Sequence, residues 1–164
     1  MTSITTTTLA PLKQPASIQQ AKAQCRLGAS LFATYAILAT AQWAAVGDLP
    51  DQRAYLGVLG FDLAVAAGIW LNSRAFATVA ILLCLGRTAA SISQFETYTE
   101  LVLSLSLLAV GWFSALAGAR GSFALRRYGN EMQKSPRAKV SLPIVAFGAF
   151  ASLAYAVWWM WPHG

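Results

Sequence analysis

Two ionisable residues, Asp62 and Arg87, lie inside long apolar stretches of the sequence. A charged side chain in the hydrocarbon core of a membrane costs at least ~2.5–3.5 kcal/mol on insertion scales. Asp62 lies seven residues after Tyr55, where one stretch begins, and Arg87 lies six residues before Ser93, where the next stretch ends. In an antiparallel helical hairpin both charges lie roughly 9–10 Å from the same membrane face. We therefore predict that they pair, either to fix the register of the two helices or as part of a ligand or ion site.

Further polar side chains are predicted at the depth of this pair. On the third apolar stretch they recur at helical spacing, and on the first and fourth stretches they lie near the same membrane face. Together with the pair itself, the candidate binding residues are Asp62, Arg87, Ser91, Gln94, Gln42 and Ser104. The same side chains could equally make interhelical hydrogen bonds, which contribute only ~0.6 kcal/mol on average in membrane proteins.

The sequence carries no signature of catalysis. It has no glycine-rich phosphate loop, no GxSxG motif and no HExxH motif. Its single histidine, His163, and its two cysteines, Cys25 and Cys84, are too few for a cysteine-based zinc site or a histidine cluster. We expect a non-enzymatic protein with no catalytic residue, no metal ion and no cofactor.

Five apolar stretches position these residues. Hydrophobic residues make up 57% of the 164 residues and charged residues only 11%, against roughly 25% charged in soluble domains. This composition excludes a water-soluble monomer and a disordered chain. Each stretch is about as long as a helix that crosses the ~30 Å hydrocarbon core of a bilayer. The sequence predicts an all-α bundle of five transmembrane helices over 27–164, with spans at 27–46, 55–71, 75–93, 101–118 and 142–161, after a disordered cytoplasmic tail at 1–26.

The distribution of charge predicts the orientation of this bundle. With the N-terminus inside, 10 of the 12 basic residues lie on the inner side, and the outer loops hold four of the six acids. Basic residues in short loops stay cytoplasmic, so we expect the N-terminus inside and the C-terminus outside. The expected location is a bacterial inner (plasma) membrane. The acid-poor tail also fits an organellar transit peptide, which leaves an organellar inner membrane as the alternative.

The segment 119–140 carries six basic residues and one acid. We expect it either to lie on anionic headgroups of membrane lipids or to act only as a topology determinant. Twenty-two residues between two spans do not form a nucleic-acid-binding module. The expected partners are therefore lipids and either a protein partner or further copies of the chain, and not a nucleic acid.

The first and third stretches share a short sequence. Residues 32–38 and 76–82 are identical at six of seven positions and run in the same direction across the membrane. The similarity predicts two related hairpins followed by a fifth helix, as in transporters with parallel repeats. The alternative is coincidence in a chain rich in alanine and leucine.

Residues 57–93 combine a glycine-rich second helix, a short basic hairpin loop and the run GRTAAS at 86–91. This pattern resembles the DoxX-like small four-helix membrane proteins. The resemblance implies a four-helix membrane bundle and says almost nothing about activity. The fifth predicted span is additional to that pattern.

Two functions are consistent with the sequence. The first is a non-enzymatic accessory or scaffold subunit of an inner-membrane assembly, because the chain is small, has short loops and carries no catalytic group. The alternative is a small transporter or ligand-binding membrane protein that uses the polar cluster around Asp62 and Arg87 near the outer face.

Overall fold

The structure, a computed structural model, describes residues 16–46, 52–94, 98–127 and 136–160. They form five helices and, over these ranges, no strand. The helices are α1 (Ala16–Val46), α2 (Gln52–Trp70), α3 (Arg74–Gln94), α4 (Tyr98–Arg127) and α5 (Pro136–Met160). The predicted all-α fold is confirmed, while the tail residues 1–15 and His163 lie outside the described residues.

Four of the five helices are long and apolar enough to cross a membrane. The apolar segments are Gln52–Trp70, Arg74–Ser91, Val102–Arg127 and Val140–Met160, which belong to α2, α3, α4 and α5. Helix α1, which carries Thr34, Thr40 and Gln42 in its second half, is not one of the four.

Helices α1 to α4 form a closed ring. Helix α1 packs against α2 and α4, and α3 packs against the same two helices from the other side. The centre of the ring is filled by large buried side chains, namely Phe32, Tyr35, Val65 and Ile69. Within the described part of the chain, α5 packs against α2 alone. The chain is therefore a four-helix bundle with a fifth helix on its periphery.

Glycines bring the main helix pairs into close contact. A Cβ atom added to Gly28 of α1 would lie 2.5 Å from the backbone nitrogen of Gly118 on α4. One added to Gly57 of α2 would lie 2.6 Å from the backbone nitrogen of Ala156 on α5. Because membrane helices associate chiefly through close packing of small residues, these contacts fix which helices are neighbours.

A tight turn joins α2 to α3. Asn72 has a φ of 61°, in the left-handed region. Its N–H donates to the carbonyl of Ile69 at 2.8 Å, and the Ser73 N–H donates to the carbonyl of Gly68 at 3.0 Å. These two bonds form a Schellman motif, which satisfies the last carbonyls of a helix and reverses the chain. The predicted helical hairpin at 72–74 is confirmed.

Three helix ends differ from the predicted boundaries. Helix α1 begins at Ala16 rather than at residue 27, so the second part of the predicted tail is helical. Helix α4 continues to Arg127, so the first part of the predicted loop 119–140 is helical as well. Helix α5 begins at Pro136 and contains Pro143 in its interior. Hydropathy marks only the segments that face lipid, whereas a helix continues as long as one of its faces finds a partner.

The extra turns of α1 and α4 pack on each other. Ile18, Ala21 and Cys25 on α1 form a small buried cluster with Leu125 on α4. The Cys25 thiol lies 3.8 Å from the carbonyl oxygen of Gly118. We call residues 16–26 of α1 together with 119–127 of α4 the basic projection.

The two segments of the predicted repeat lie in α1 and α3. Their phenylalanines, Phe32 and Phe76, and their second alanines, Ala36 and Ala80, are buried. The two segments thus turn matching positions towards the interior. The origin of this similarity in a repeat stays a prediction.

Candidate functional site

Asp62 on α2 and Arg87 on α3 form a buried ion pair. The guanidinium donates through Nη2 to the Asp62 carboxylate oxygen Oδ2 at 2.5 Å. Asp62 is 0% exposed and Arg87 8% exposed. The predicted pairing is confirmed, and it offsets much of the desolvation cost that either charge would carry alone.

The helical period explains why both charges reach the interior. On α3, the buried residues Ala77, Ala80 and Cys84 recur every three or four positions, and Arg87 continues the series. On α2, Asp62 lies one turn before Val65 on the buried face. The tight turn after α2 then sets the two faces opposite each other.

Two aromatic rings of α1 cover the guanidinium. The Arg87 Cζ atom lies 5.4 Å from the centre of the Tyr35 ring and 5.0 Å from the centre of the Trp43 ring. Both distances are within the range of cation–π attraction. Neither residue was among the site residues predicted from the sequence, although a tyrosine far from the membrane surface in a predicted span is a usable signal. The site therefore draws on α1, α2 and α3.

A single hydrogen bond joins the ion pair, and other polar atoms of the site have no hydrogen-bond partner. Asp62 Oδ1 and Arg87 Nη1 are buried and have no hydrogen-bond partner among the described residues, and the same holds for Thr40 Oγ1. Oδ1 is a hydrogen-bond acceptor and Nη1 a donor. The charges of the pair cancel. The unpartnered atoms Oδ1 and Nη1 therefore suit a neutral polar group that both donates and accepts hydrogen bonds, rather than a lone ion.

Two of the remaining candidate residues form a contact of their own, apart from the ion pair. Gln42 on α1 donates through Nε2 to the Ser104 hydroxyl on α4 at 2.9 Å. Ser91 is half-buried on α3, and the side chain of Gln94 lies outside the described residues. The predicted cluster thus contains at least two separate contacts, Asp62 with Arg87 and Gln42 with Ser104.

A hydrogen-bonded chain next to Arg87 was not predicted from the sequence. The indole nitrogen of Trp112 on α4 donates to the Thr88 hydroxyl on α3 at 3.1 Å. That hydroxyl in turn donates to the carbonyl oxygen of Cys84 at 2.7 Å. This chain ties α3 to α4 beside the ion pair, and a threonine and a tryptophan on distant stretches give no sequence signal that they meet.

Other features of the described residues do not add a site. No group of three or more His, Cys, Asp or Glu side chains in the described ranges could hold a metal ion. A groove on α5 is almost wholly apolar and is lined by Phe150, Leu153, Ala154, Val157 and Trp158. Such a surface is typical of a helix face in contact with lipid.

Comparisons with protein-family models, curated proteins and solved structures find no match to this chain. The resemblance of residues 57–93 to DoxX-like proteins stays a prediction.

Proposed function

We propose that this protein is a non-enzymatic integral membrane protein that acts as an accessory or scaffold subunit of a bacterial inner-membrane assembly. The observation that carries the proposal is the enclosure of the ion pair. Asp62 is fully buried, and the Arg87 guanidinium is covered by the rings of Tyr35 and Trp43. A pair enclosed in this way holds three helices in register, which suits a rigid scaffold better than a solute path.

The proposal includes a transmembrane span formed by α1, in addition to the spans of α2 to α5. Helix α1 contacts α2 at two distant points: the Tyr55 hydroxyl donates to the carbonyl of Trp43 at 3.0 Å, and the Arg26 guanidinium lies 5.7 Å from the Trp70 ring. Residues 26 and 43 are roughly 25 Å apart along a helix. Because α2 is apolar enough to span a membrane, a helix packed along it over this length crosses with it.

The orientation is also part of the proposal. The described basic residues other than Arg53 and Arg87 lie on the basic projection, at Arg74, which begins α3, or at Arg137 and Lys139 in the first turn of α5. All of them are thus at the end of the bundle where α2 ends. The positive-inside tendency favours this end as the cytoplasmic one, with anionic lipid headgroups around its base.

Purification from native membranes tests the accessory role. We expect extraction in a mild detergent to yield a complex in which mass spectrometry finds a second protein in stoichiometric amount. Recovery of a monomer or of a homo-oligomer without a second protein would overturn the proposal.

The unpartnered atoms Asp62 Oδ1 and Arg87 Nη1 favour a second candidate function, the binding of a small neutral polar solute. The Asp62→Asn/Arg87→Gln double variant separates the two functions, because it strands no charge. If the ion pair is structural, this variant folds and keeps its protein partner. If the pair binds a solute on which the function depends, the variant folds and loses that function.

A further inference from the structure

The basic projection extends well beyond the end of the α2–α3 hairpin. Arg26 of α1 lies against Trp70, the last residue of α2, and Gly118 of α4 contacts Ile69 and the Cys25 region. Residues 16–25 and 119–127 therefore lie past the level of Trp70. Nine or ten helical residues extend roughly 14–15 Å. The projection has its own apolar cluster, so the two helices stay together over this length.

The projection carries a strong positive charge. Its two segments contain five basic residues and no acid, namely Lys22, Arg26, Arg120, Arg126 and Arg127. The four arginines are exposed and Lys22 is half-buried. The N-terminus of α1 and the C-terminus of α4 lie at the same end, so their helix dipoles largely cancel. The side chains thus determine the local potential.

Two of these five basic residues, Arg126 and Arg127, extend farther from the end of α2 than the thickness of a lipid headgroup layer. The headgroup layer adds about 5–8 Å on each side of the hydrocarbon core. Arg26 and Arg120 lie near the level of Trp70 and fall within this layer. Arg126 and Arg127 lie roughly 12–14 Å beyond that level by their helical rise. When the hydrocarbon core is taken to end at the level of Trp70, where α2 ends, this distance puts Arg126 and Arg127 beyond the headgroup layer.

An aromatic residue completes the surface. Phe123 is 48% exposed and lies between Arg120 and Arg127 on one face of α4. Its helical rise puts it at the outer part of the headgroup layer or beyond it. Exposed aromatic rings beside arginines are typical of protein interfaces, in which both residue types are enriched.

We propose that the basic projection is a docking surface for an acidic segment of a protein partner in the aqueous phase. This inference rests on the accessory function proposed above and assigns a surface to it. Charge complementarity selects the partner's chemistry: Asp or Glu side chains for the arginines and an apolar side chain for Phe123. Close oppositely charged surfaces chiefly set specificity and association rate, so binding should weaken steeply with salt.

A direct test uses the full chain in phosphatidylcholine nanodiscs, which offer no anionic lipid. The probe is a fluorescein-labelled helical 20-residue peptide with alternating glutamate and leucine faces. We expect binding that weakens at least tenfold between low and physiological salt. The triple variant Arg120→Gln/Arg126→Gln/Arg127→Gln should weaken it at least tenfold further, and the triple Arg→Lys variant should retain most of it.

A matched single substitution controls for total charge. Arg74→Gln removes one basic charge from the same end of the bundle, at the start of α3 rather than on the projection. We expect Arg74→Gln to weaken peptide binding by less than twofold and Arg127→Gln to weaken it at least threefold. Because Arg120, Arg126 and Arg127 are exposed and Arg74 is half-buried, helicity and thermal unfolding of these variants should stay close to those of the wild type.

Two outcomes of the peptide experiment would overturn the proposal. One is peptide binding that is absent, or that the triple glutamine variant leaves unchanged. The other is that phosphatidylglycerol stays bound to the detergent-purified chain through these arginines and displaces the peptide. In that case a lipid, and not a protein segment, occupies the surface. A native partner that co-purifies with wild type and triple variant alike would exclude this surface while leaving the accessory role intact. Absence of any partner would exclude both.

Discussion

At the scale of single residues, the ion pair of Asp62 and Arg87 is the costliest feature of the bundle to disturb. Each side chain is buried, and one hydrogen bond joins them. Removing one partner of a buried pair leaves the other charge uncompensated and typically costs about 3–5 kcal/mol. Replacing both at once leaves no charge to compensate. The pair therefore lends itself to a double-mutant cycle.

We expect Asp62→Ala and Arg87→Ala each to lower the folded yield and the thermal stability in detergent. The Asp62→Asn/Arg87→Gln double variant should recover much of that loss, because neither charge is stranded. A charge swap should recover less, because the two side chains differ in length and hydrogen-bonding geometry. Strictly additive losses across the cycle would mean that the two residues do not interact.

The tryptophan over the guanidinium provides a second residue-level prediction. Trp43→Leu should lower stability by about 0.5–2 kcal/mol through loss of the cation–π contact. Trp43→Phe should lower it less, since a ring is retained. In the Asp62→Asn/Arg87→Gln background, thermal unfolding should show a clearly smaller effect of Trp43→Leu. An equal effect in both backgrounds would assign the loss to packing alone.

At the scale of helices, the contact of α1 with α4 depends on the absence of a side chain at Gly28. A Cβ atom there would meet the backbone of Gly118, at 2.5 Å from its nitrogen and 2.8 Å from its Cα. Backbone atoms cannot rotate away as a flexible side chain does. The two helices must separate if Gly28 is replaced.

We expect Gly28→Ala to destabilise the bundle by about 1–3 kcal/mol, the usual range for overpacking. Gly86→Ala on α3 is the matched control, because nothing lies within 4 Å of its added Cβ. Alanine favours a helix over glycine by up to ~1 kcal/mol, so this control should be neutral or stabilising. Thermal unfolding of both variants in the same detergent tests this prediction. Equal unfolding temperatures of the two variants would contradict the close contact of Gly28 with Gly118.

At the scale of the whole molecule, the proposed five-span topology depends on α1. Helix α1 belongs to the four-helix ring, whereas α5 contacts α2 alone within the described chain. The ring thus needs α1 more than it needs α5. If α1 crosses the membrane, its two ends lie on opposite sides.

Single cysteines on α1 test this directly in a background without Cys25 and Cys84. Ala23 and Ala45 are both exposed and lie near opposite ends of the helix. We expect a membrane-impermeant maleimide to label Ala45→Cys from the periplasmic side and Ala23→Cys only in inverted vesicles. Labelling of both positions from one side would refute the α1 span, and the reverse pattern would refute the orientation.

Features that depend on one segment, or on two neighbouring segments, follow from the amino-acid sequence. Long apolar stretches specify helices, because a backbone in lipid must satisfy its own hydrogen bonds. The break at 72–74 specifies a hairpin, and with it the pairing of Asp62 with Arg87 at matching depth. That pairing was predictable because charges in an apolar environment leave few alternatives.

Features that depend on distant segments follow from the packing of the helices and not from the sequence pattern. The predicted apolar stretch of α1 begins at residue 27, and that of α4 ends at residue 118. The helices themselves extend farther, to Ala16 and to Arg127, because Ile18 and Leu125 pack together in a buried cluster. The rings that cover Arg87 and the peripheral position of α5 follow from which helix faces meet. Helix packing in lipid depends on close surface fit rather than on hydrophobicity, so residue pattern alone does not specify it.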